Sequence, residues 1–223
     1  RKDGIVRKMT KGIEFLFRKN KIAWLKGHGR FAGNAEGFWR IEVEGDAGTE
    51  VNEAKNVIIA TGSRARHLPG VPVDNELVCD NEGALAFDAV PRRLGVIGAG
   101  VIGLELGSVW RRLGSEVIVL EALPGFLAAC DDAVSRECWK IFTKQGLDIR
   151  LGVKLGEVKT GRKGVSVAWT DDKGEAQTLE VDRLIVSVGR VPNTEGLGLE
   201  SIGLAPDARG FIEVDDHCRT RQP

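Results

Sequence analysis

The sequence predicts an α/β fold in which a parallel sheet is combined with an antiparallel meander, and three observations predict it. A strand, a glycine-rich turn, a helix and a second strand follow one another between Arg93 and Glu121. Short alternating segments separated by turns lie on either side of that run. Two hydrophobic runs also stop at small-residue turns, Ile58-Ile59-Ala60-Thr61-Gly62 and Val186-Ser187-Val188-Gly189. Together these suggest two domains of one architecture, the first without an opening βαβ unit of its own.

Taken in order, apolar residues at Ile5, Met9, Ile13, Leu16 and Phe17 recur near the helical period and predict an amphipathic helix over Ile5 to Asn20. Ile22 to Leu25 reads as a strand and Gly27-His28-Gly29 as a turn. Gly37 to Glu44 and Glu50 to Val51 read as antiparallel strands, and Asn56 to Ala60 as a buried strand ending at Thr61-Gly62-Ser63. Arg64 to Asp74, rich in proline and glycine, reads as a linker or crossover. Glu82 to Phe87 carries a weak helical stretch. Pro91 then leads into the central unit, which puts the domain boundary near residue 90.

Leu94 to Ile97 is a buried strand, Val101 to Leu113 a helix with an apolar stripe, and Glu116 to Leu120 a second buried strand. Beyond it, Asp131 or Asp132 can cap a helix running to about Lys144, which Gly146 ends. Leu147 to Leu151 is a third parallel strand. Lys154 to Lys159, Gly164 to Thr170 and Ala176 to Val181 form a meander turned by Asp172-Lys173-Gly174, and Leu184 to Val188 is a buried strand ending at Gly189-Arg190.

The turn after the first central strand holds Gly98, Gly100 and Gly103 at the spacing of a dinucleotide fingerprint. Gly98 permits a sharp exit from the strand, Gly100 keeps no side chain between backbone and pyrophosphate, and Gly103 lets the helix lie close on the sheet. Gly98, Ala99, Gly100, Val101, Ile102 and Gly103 thus offer backbone N–H groups and a positive helix end to phosphates. Glu121 closes the next strand, where a carboxylate accepts hydrogen bonds from ribose hydroxyls and repels a 2′-phosphate. Ala122-Leu123-Pro124 supply no arginine to hold such a phosphate, so NAD is expected rather than NADP.

Composition narrows the class. Hydrophobic residues make up 42% and charged residues 29%, as in a globular protein able to bury a core. The 32 basic and 32 acidic side chains cancel, so no overall field favours nucleic acid or an anionic membrane. Apolar runs fall short of a bilayer span and the first residues are charged, which makes the chain cytoplasmic by expectation. It begins on Arg1 with a helix that no strand precedes, so it is expected to be a piece of a longer protein. Cys79, Cys130, Cys138 and Cys218 form no CxxC or metal-spaced set and read as reduced thiols.

The four motifs Ala60-Thr61-Gly62-Ser63, Gly98 through Gly107, Gly189-Arg190-Val191-Pro192-Asn193 and Gly196-Leu197-Gly198-Leu199 carry a resemblance along essentially the whole chain. It resembles the dihydrolipoamide dehydrogenases, within the pyridine-nucleotide flavin disulfide reductases. The resemblance implies FAD/NAD(P)-binding three-layer Rossmann-like (ββα) domains: a partial FAD domain over 1–90, an NAD domain over 91–208, and the start of the return to the FAD domain over 209–223. It also implies an oxidoreductase that reoxidises protein-bound dihydrolipoamide through a redox-active cysteine pair and FAD to NAD. The parent would be a homodimer serving the lipoyl-bearing subunit of a 2-oxo acid dehydrogenase or glycine cleavage complex.

By the same resemblance Leu155 lies near the adenine of NAD, and Gly189 beside the nicotinamide half. Glu105 faces the flavin–nicotinamide junction, paired in the family with a lysine this chain lacks. Gly29 lies by the adenine of FAD, with Thr61, Gly62 and Ser63 near its adenosine end. The chain lacks the family's amino-terminal FAD fingerprint, CxxxxC pair, Gly-Asp flavin turn and carboxy-terminal His and Glu. His28, His67 and His217 do not match the catalytic histidine. The parent is expected to be an enzyme, the piece to be inactive and to retain no FAD. The alternatives are another reductase of the family, or a nucleotide-binding module without catalysis.

Overall fold

The computed structural model describes residues 1–222, so Pro223, the last residue assigned to the return segment, lies outside the described residues. The chain forms two compact units, one from Arg1–Gly62 together with Pro192 onward, the other Ser63–Val191.

In the first unit, α1 (Lys2–Lys19) is followed by the antiparallel meander β1 (His28–Ala35), β2 (Phe38–Gly45) and β3 (Gly48–Ala54), in that spatial order. The first hairpin turns on Glu36 and Gly37, both at positive φ, which matches the twist of the flanking strands. The strand at His28 replaces the expected turn. A Cβ on Gly27 would stand 2.3 Å from the Glu44 carbonyl oxygen, so this glycine allows two backbones to approach rather than reversing the chain. Phe31 leads a small core with Leu197, Leu199, Ile202 and Leu204, and its N–H donates to the Leu197 carbonyl at 2.8 Å.

Two expected strands do not form. Ile22 to Leu25 has no ladder partner among the described residues, and Trp24 instead meets Phe17 edge-on at 6.0 Å. Asn56 to Ala60 is also outside any strand, and Ile58 is 90% exposed. A run of branched apolar residues becomes a buried strand only where neighbouring strands pair with it and cover both faces; among the described residues no strand pairs with this one, and only Ile59 packs against the Phe31 core. Helix α1 buries none of its residues.

The second unit opens with β4 (Ser63–Ala65), β5 (Val78–Cys79) and the single-turn α2 (Asn81–Ala84). Then come β6 (Arg93–Ile97), α3 (Val101–Leu113), β7 (Glu116–Leu120), α4 (Asp132–Lys144) and β8 (Asp148–Arg150). The second meander is β9 (Lys154–Gly161), β10 (Gly164–Thr170) and β11 (Ala176–Val181), followed by β12 (Arg183–Val186) and β13 (Arg190–Pro192), which pairs with β4. The parallel sheet has the order β5-β12-β6-β7-β8.

Strand alternation builds three layers from these elements. On one face, Leu94, Val96, Val117, Val119 and Ile185 pack with Leu104, Leu106 and Trp110 of α3 and with Leu147. On the other, Ile97, Leu120, Leu184 and Val186 pack with Val158, Val165, Val167, Leu179 and Val181 of the meander. Both faces are covered, which is why these strands read as continuous hydrophobic runs. The same layering accounts for the extent of the compact unit. Val78 and Cys79, both fully buried, extend the sheet parallel to β12, and the compact unit that holds this sheet starts at Ser63. That unit ends at Val191, and Leu197 to Leu204 pack with Phe31 in the first unit.

Candidate dinucleotide site

The site is the carboxyl edge of the parallel sheet at β6. From β6 the chain goes first to β7 on one side, while β12 lies on the other, so the strand order reverses at this point and leaves a crevice between the loops. Gly98 turns the chain there at φ +104, and its N–H donates to the Leu120 carbonyl at 2.8 Å. A Cβ on Gly98 would lie 2.2 Å from the Ser187 carbonyl oxygen, and one on Gly103 would lie 2.2 Å from the Gly98 carbonyl oxygen. Both glycines therefore serve close packing. Gly100 differs: a Cβ there meets nothing within 4 Å, so its bareness keeps an outer surface open.

Gly100 is the N-cap of α3 and supplies no side-chain cap; the helix ladder begins with the Leu104 N–H on the Gly100 carbonyl. First-turn N–H groups near Val101 and Ile102 are thus left pointing out of the helix end, where its dipole favours an anion. Ala99 is buried beneath the turn.

Glu121 reaches this mouth. Its Oε2 accepts the Ala99 N–H at 2.7 Å and its Oε1 accepts the Leu123 N–H at 2.8 Å. Its backbone is held as well, N–H to the Arg150 carbonyl at 2.8 Å and carbonyl to the Val153 N–H at 3.0 Å. A carboxylate offers about four lone-pair positions, so two remain for a ligand's hydroxyl groups. Open turn, uncapped helix end and fixed carboxylate fit the pyrophosphate and ribose of a dinucleotide.

Gly189 follows β12 at φ +110, with its carbonyl accepting the Arg66 N–H at 3.0 Å. Glu105 is exposed on α3, and Leu155 is half-buried on β9 against the meander-side core. The positions that the resemblance gives to FAD take the following places. Gly29 pairs with Val43 in the first meander. The Thr61 hydroxyl donates to the Asn193 carbonyl at 2.7 Å, the Asn193 side chain donates back to the Thr61 carbonyl at 3.1 Å, and Gly62 accepts the Asn193 N–H at 3.0 Å. Ser63 is taken up by Arg190. Among the described residues the first unit has no glycine-rich strand-to-helix turn.

Sequence reasoning passed over Arg190, whose guanidinium donates from Nε to the Ser63 Oγ at 2.7 Å, from Nη2 to the Ser63 carbonyl and from Nη1 to the Asn81 Oδ1 at 3.3 Å. The available signal was its place directly after a glycine at the end of a buried strand. All four cysteines are free. Burial first, and then Asp74, push the Cys79 thiol up to about 11, which leaves it protonated and unreactive near neutrality. Among the described residues no cluster could hold a metal ion, and no helix is long and apolar enough to cross a membrane.

The family model for pyridine nucleotide-disulphide oxidoreductases matches residues 2–223. The chain belongs to that family. Among the family's characterised members, a dihydrolipoyl dehydrogenase of Cupriavidus necator is 69% identical over 224 residues, covering 100% of this chain and 46% of that protein. Dihydrolipoyl dehydrogenase 3 of Pseudomonas aeruginosa is 48% identical over 95% of the chain and 45% of its own length. Among solved structures, the HOCl-induced flavoprotein disulfide reductase of Escherichia coli matches with a TM-score of 0.77 at 27% identity, over 97% of this chain and 49% of that one. The chain thus spans about half the length of the oxidoreductases it matches.

Proposed function

We propose that this chain is the nicotinamide-dinucleotide-binding portion of a dihydrolipoyl dehydrogenase that reoxidises protein-bound dihydrolipoyl groups with NAD. The observation that carries the reading is the pairing of Glu121 with the Ala99 N–H at the open mouth beside Gly100. It joins a sugar acceptor to a phosphate cradle at the point where strand order reverses. The 69% identity to a dihydrolipoyl dehydrogenase supports the choice of branch within the family.

In this reading the unit Ser63–Val191 takes NAD and the other unit is part of an FAD-binding half. FAD, when bound in the complete protein, supplies hydride transfer to NAD. What this chain does is hold the pyrophosphate on the Gly98–Gly103 turn, orient the adenosine ribose on Glu121 and present Gly189 to the nicotinamide half. The complete enzyme would be a cytoplasmic homodimer docking on the lipoyl-bearing subunit of a 2-oxo acid dehydrogenase or glycine cleavage complex. The chain by itself would retain no FAD and would not turn over.

Calorimetric titration of the 223-residue chain tests the cofactor assignment. NADH is expected to bind more tightly than NADPH, whose 2′-phosphate meets the Glu121 carboxylate. Glu121→Ala is expected to cost about 1–3 kcal/mol of NADH binding, the scale for losing a charged acceptor. Tighter binding of NADPH, or no loss in the variant, would remove Glu121 from the site.

A further inference from the structure

We propose that Arg190 is the positioning residue of the nicotinamide-side turn, fixing Gly189 at the carboxyl end of β12 by anchoring to Ser63 and Asn81. This rests on the dinucleotide reading above. On that reading, the Gly98 turn lies at the middle of the crevice, with Glu121 one strand to one side after β7 and Gly189 one strand to the other after β12. Two strand spacings, about 10 Å, then separate the ends that meet the adenosine and nicotinamide halves.

Gly189 sits at φ +110, a conformation that only glycine adopts without strain, and glycine is also the residue with most freedom to lose. A turn that must present one surface to a flat ring needs restraint from outside itself. It has that on both flanks. The Gly189 carbonyl accepts the Arg66 N–H, and the next residue sends three donors to Ser63 Oγ, Ser63 carbonyl and Asn81 Oδ1.

These anchors are themselves fixed. Ser63 opens β4, and Asn81 opens α2, whose N-terminus is capped by Asp80, buried at 7% exposure. The Asp80 N–H in turn donates to the Asn75 Oδ1 at 3.0 Å. A planar guanidinium serves two acceptors on one element and a third on another, which a lysine ammonium on a flexible stem does not reproduce. The space over Gly189 stays open, the nearest atom to an added Cβ being the Arg66 Nε at 3.9 Å.

The test compares NADH with ADP-ribose, which has the same adenosine and phosphates but no nicotinamide ring. Both are titrated against the wild-type chain and the variants Arg190→Ala, Arg190→Lys and Ser63→Ala, each checked for its thermal unfolding midpoint. The wild type is expected to prefer NADH. Arg190→Ala should weaken NADH about tenfold, or 1.4 kcal/mol, with ADP-ribose held within about twofold. Arg190→Lys, which keeps charge and stem, should lose most of the same preference and covers the case in which the alanine variant does not fold. A parallel fall for both ligands, an unchanged NADH affinity, or a wild type that binds both ligands equally would overturn the role of Arg190. A wild type that binds neither ligand overturns the dinucleotide reading itself, and the inference with it.

Discussion

Gly98 and Gly100, two residues apart, do opposite work at the central turn, and substitution separates them. Gly98 combines φ +104 with a neighbouring carbonyl 2.2 Å from where a Cβ would stand. Gly98→Ala is therefore expected to lower stability by at least about 2 kcal/mol, since left-handed strain alone costs about 1–2 kcal/mol and the clash adds to it. Gly100 has ordinary dihedrals, φ −74 and ψ 174, with nothing within 4 Å. Gly100→Ala should leave the urea midpoint unchanged yet weaken NADH severalfold, because the new methyl stands where phosphate must approach the backbone. Equal stability losses in the two variants would show that Gly100 serves packing and not the ligand.

At the scale of elements, α2 is a single turn and depends on its cap. Burial raises the Asp80 carboxyl, but the N–H of Glu82, the His67 ring and the N–H of Gly83 outweigh it and hold the group below its ordinary range. A carboxylate with a depressed folded-state pKa adds stability above its unfolded pKa and loses it as pH falls through the folded value. Asp80→Ala is thus expected to cost about 1–2 kcal/mol near pH 7 in chemical unfolding, and the gap from wild type to narrow below about pH 3.8. A gap constant with pH would mean that the ionised cap is not what stabilises the turn. This cap also marks the limit of what the sequence made legible. From β6 onward, α3, β7, β10 and β11 stand at the residues expected, because each buries an apolar face whose period is visible along the chain. Glu121 was legible as a candidate because its place is fixed by the end of a strand. Arg190 was not, because its three acceptors lie more than a hundred residues away. The strand expected over Asn56 to Ala60 failed for a related reason: its composition calls for a pairing strand that the described residues do not supply.

For the whole molecule, the two units differ in how much holds them. Ser63–Val191 contains two cores lining both faces of one sheet, with Leu94, Leu104, Leu120 and Leu184 almost fully buried. Burial of each such side chain contributes about 1.5–3 kcal/mol. The other unit has one small core around Phe31, a helix α1 with no buried residue, and Ile58 in solvent. Backbone with few buried apolar contacts opens locally at low free energy, so the units should differ in protection rather than unfold as one. Limited trypsin digestion followed by mass spectrometry is expected to cut first among the many basic residues of α1 and to leave a resistant product close to Ser63–Val191. Added NADH should lengthen the lifetime of that product, since a ligand that binds only the folded state stabilises it by about 2.7 kcal/mol at a hundredfold excess over Kd. It should leave cleavage in α1 unchanged, because Gly98, Glu121 and Gly189 all belong to Ser63–Val191. Equal lifetimes for α1 and α3, or protection of both by NADH, would show that the two units are energetically one.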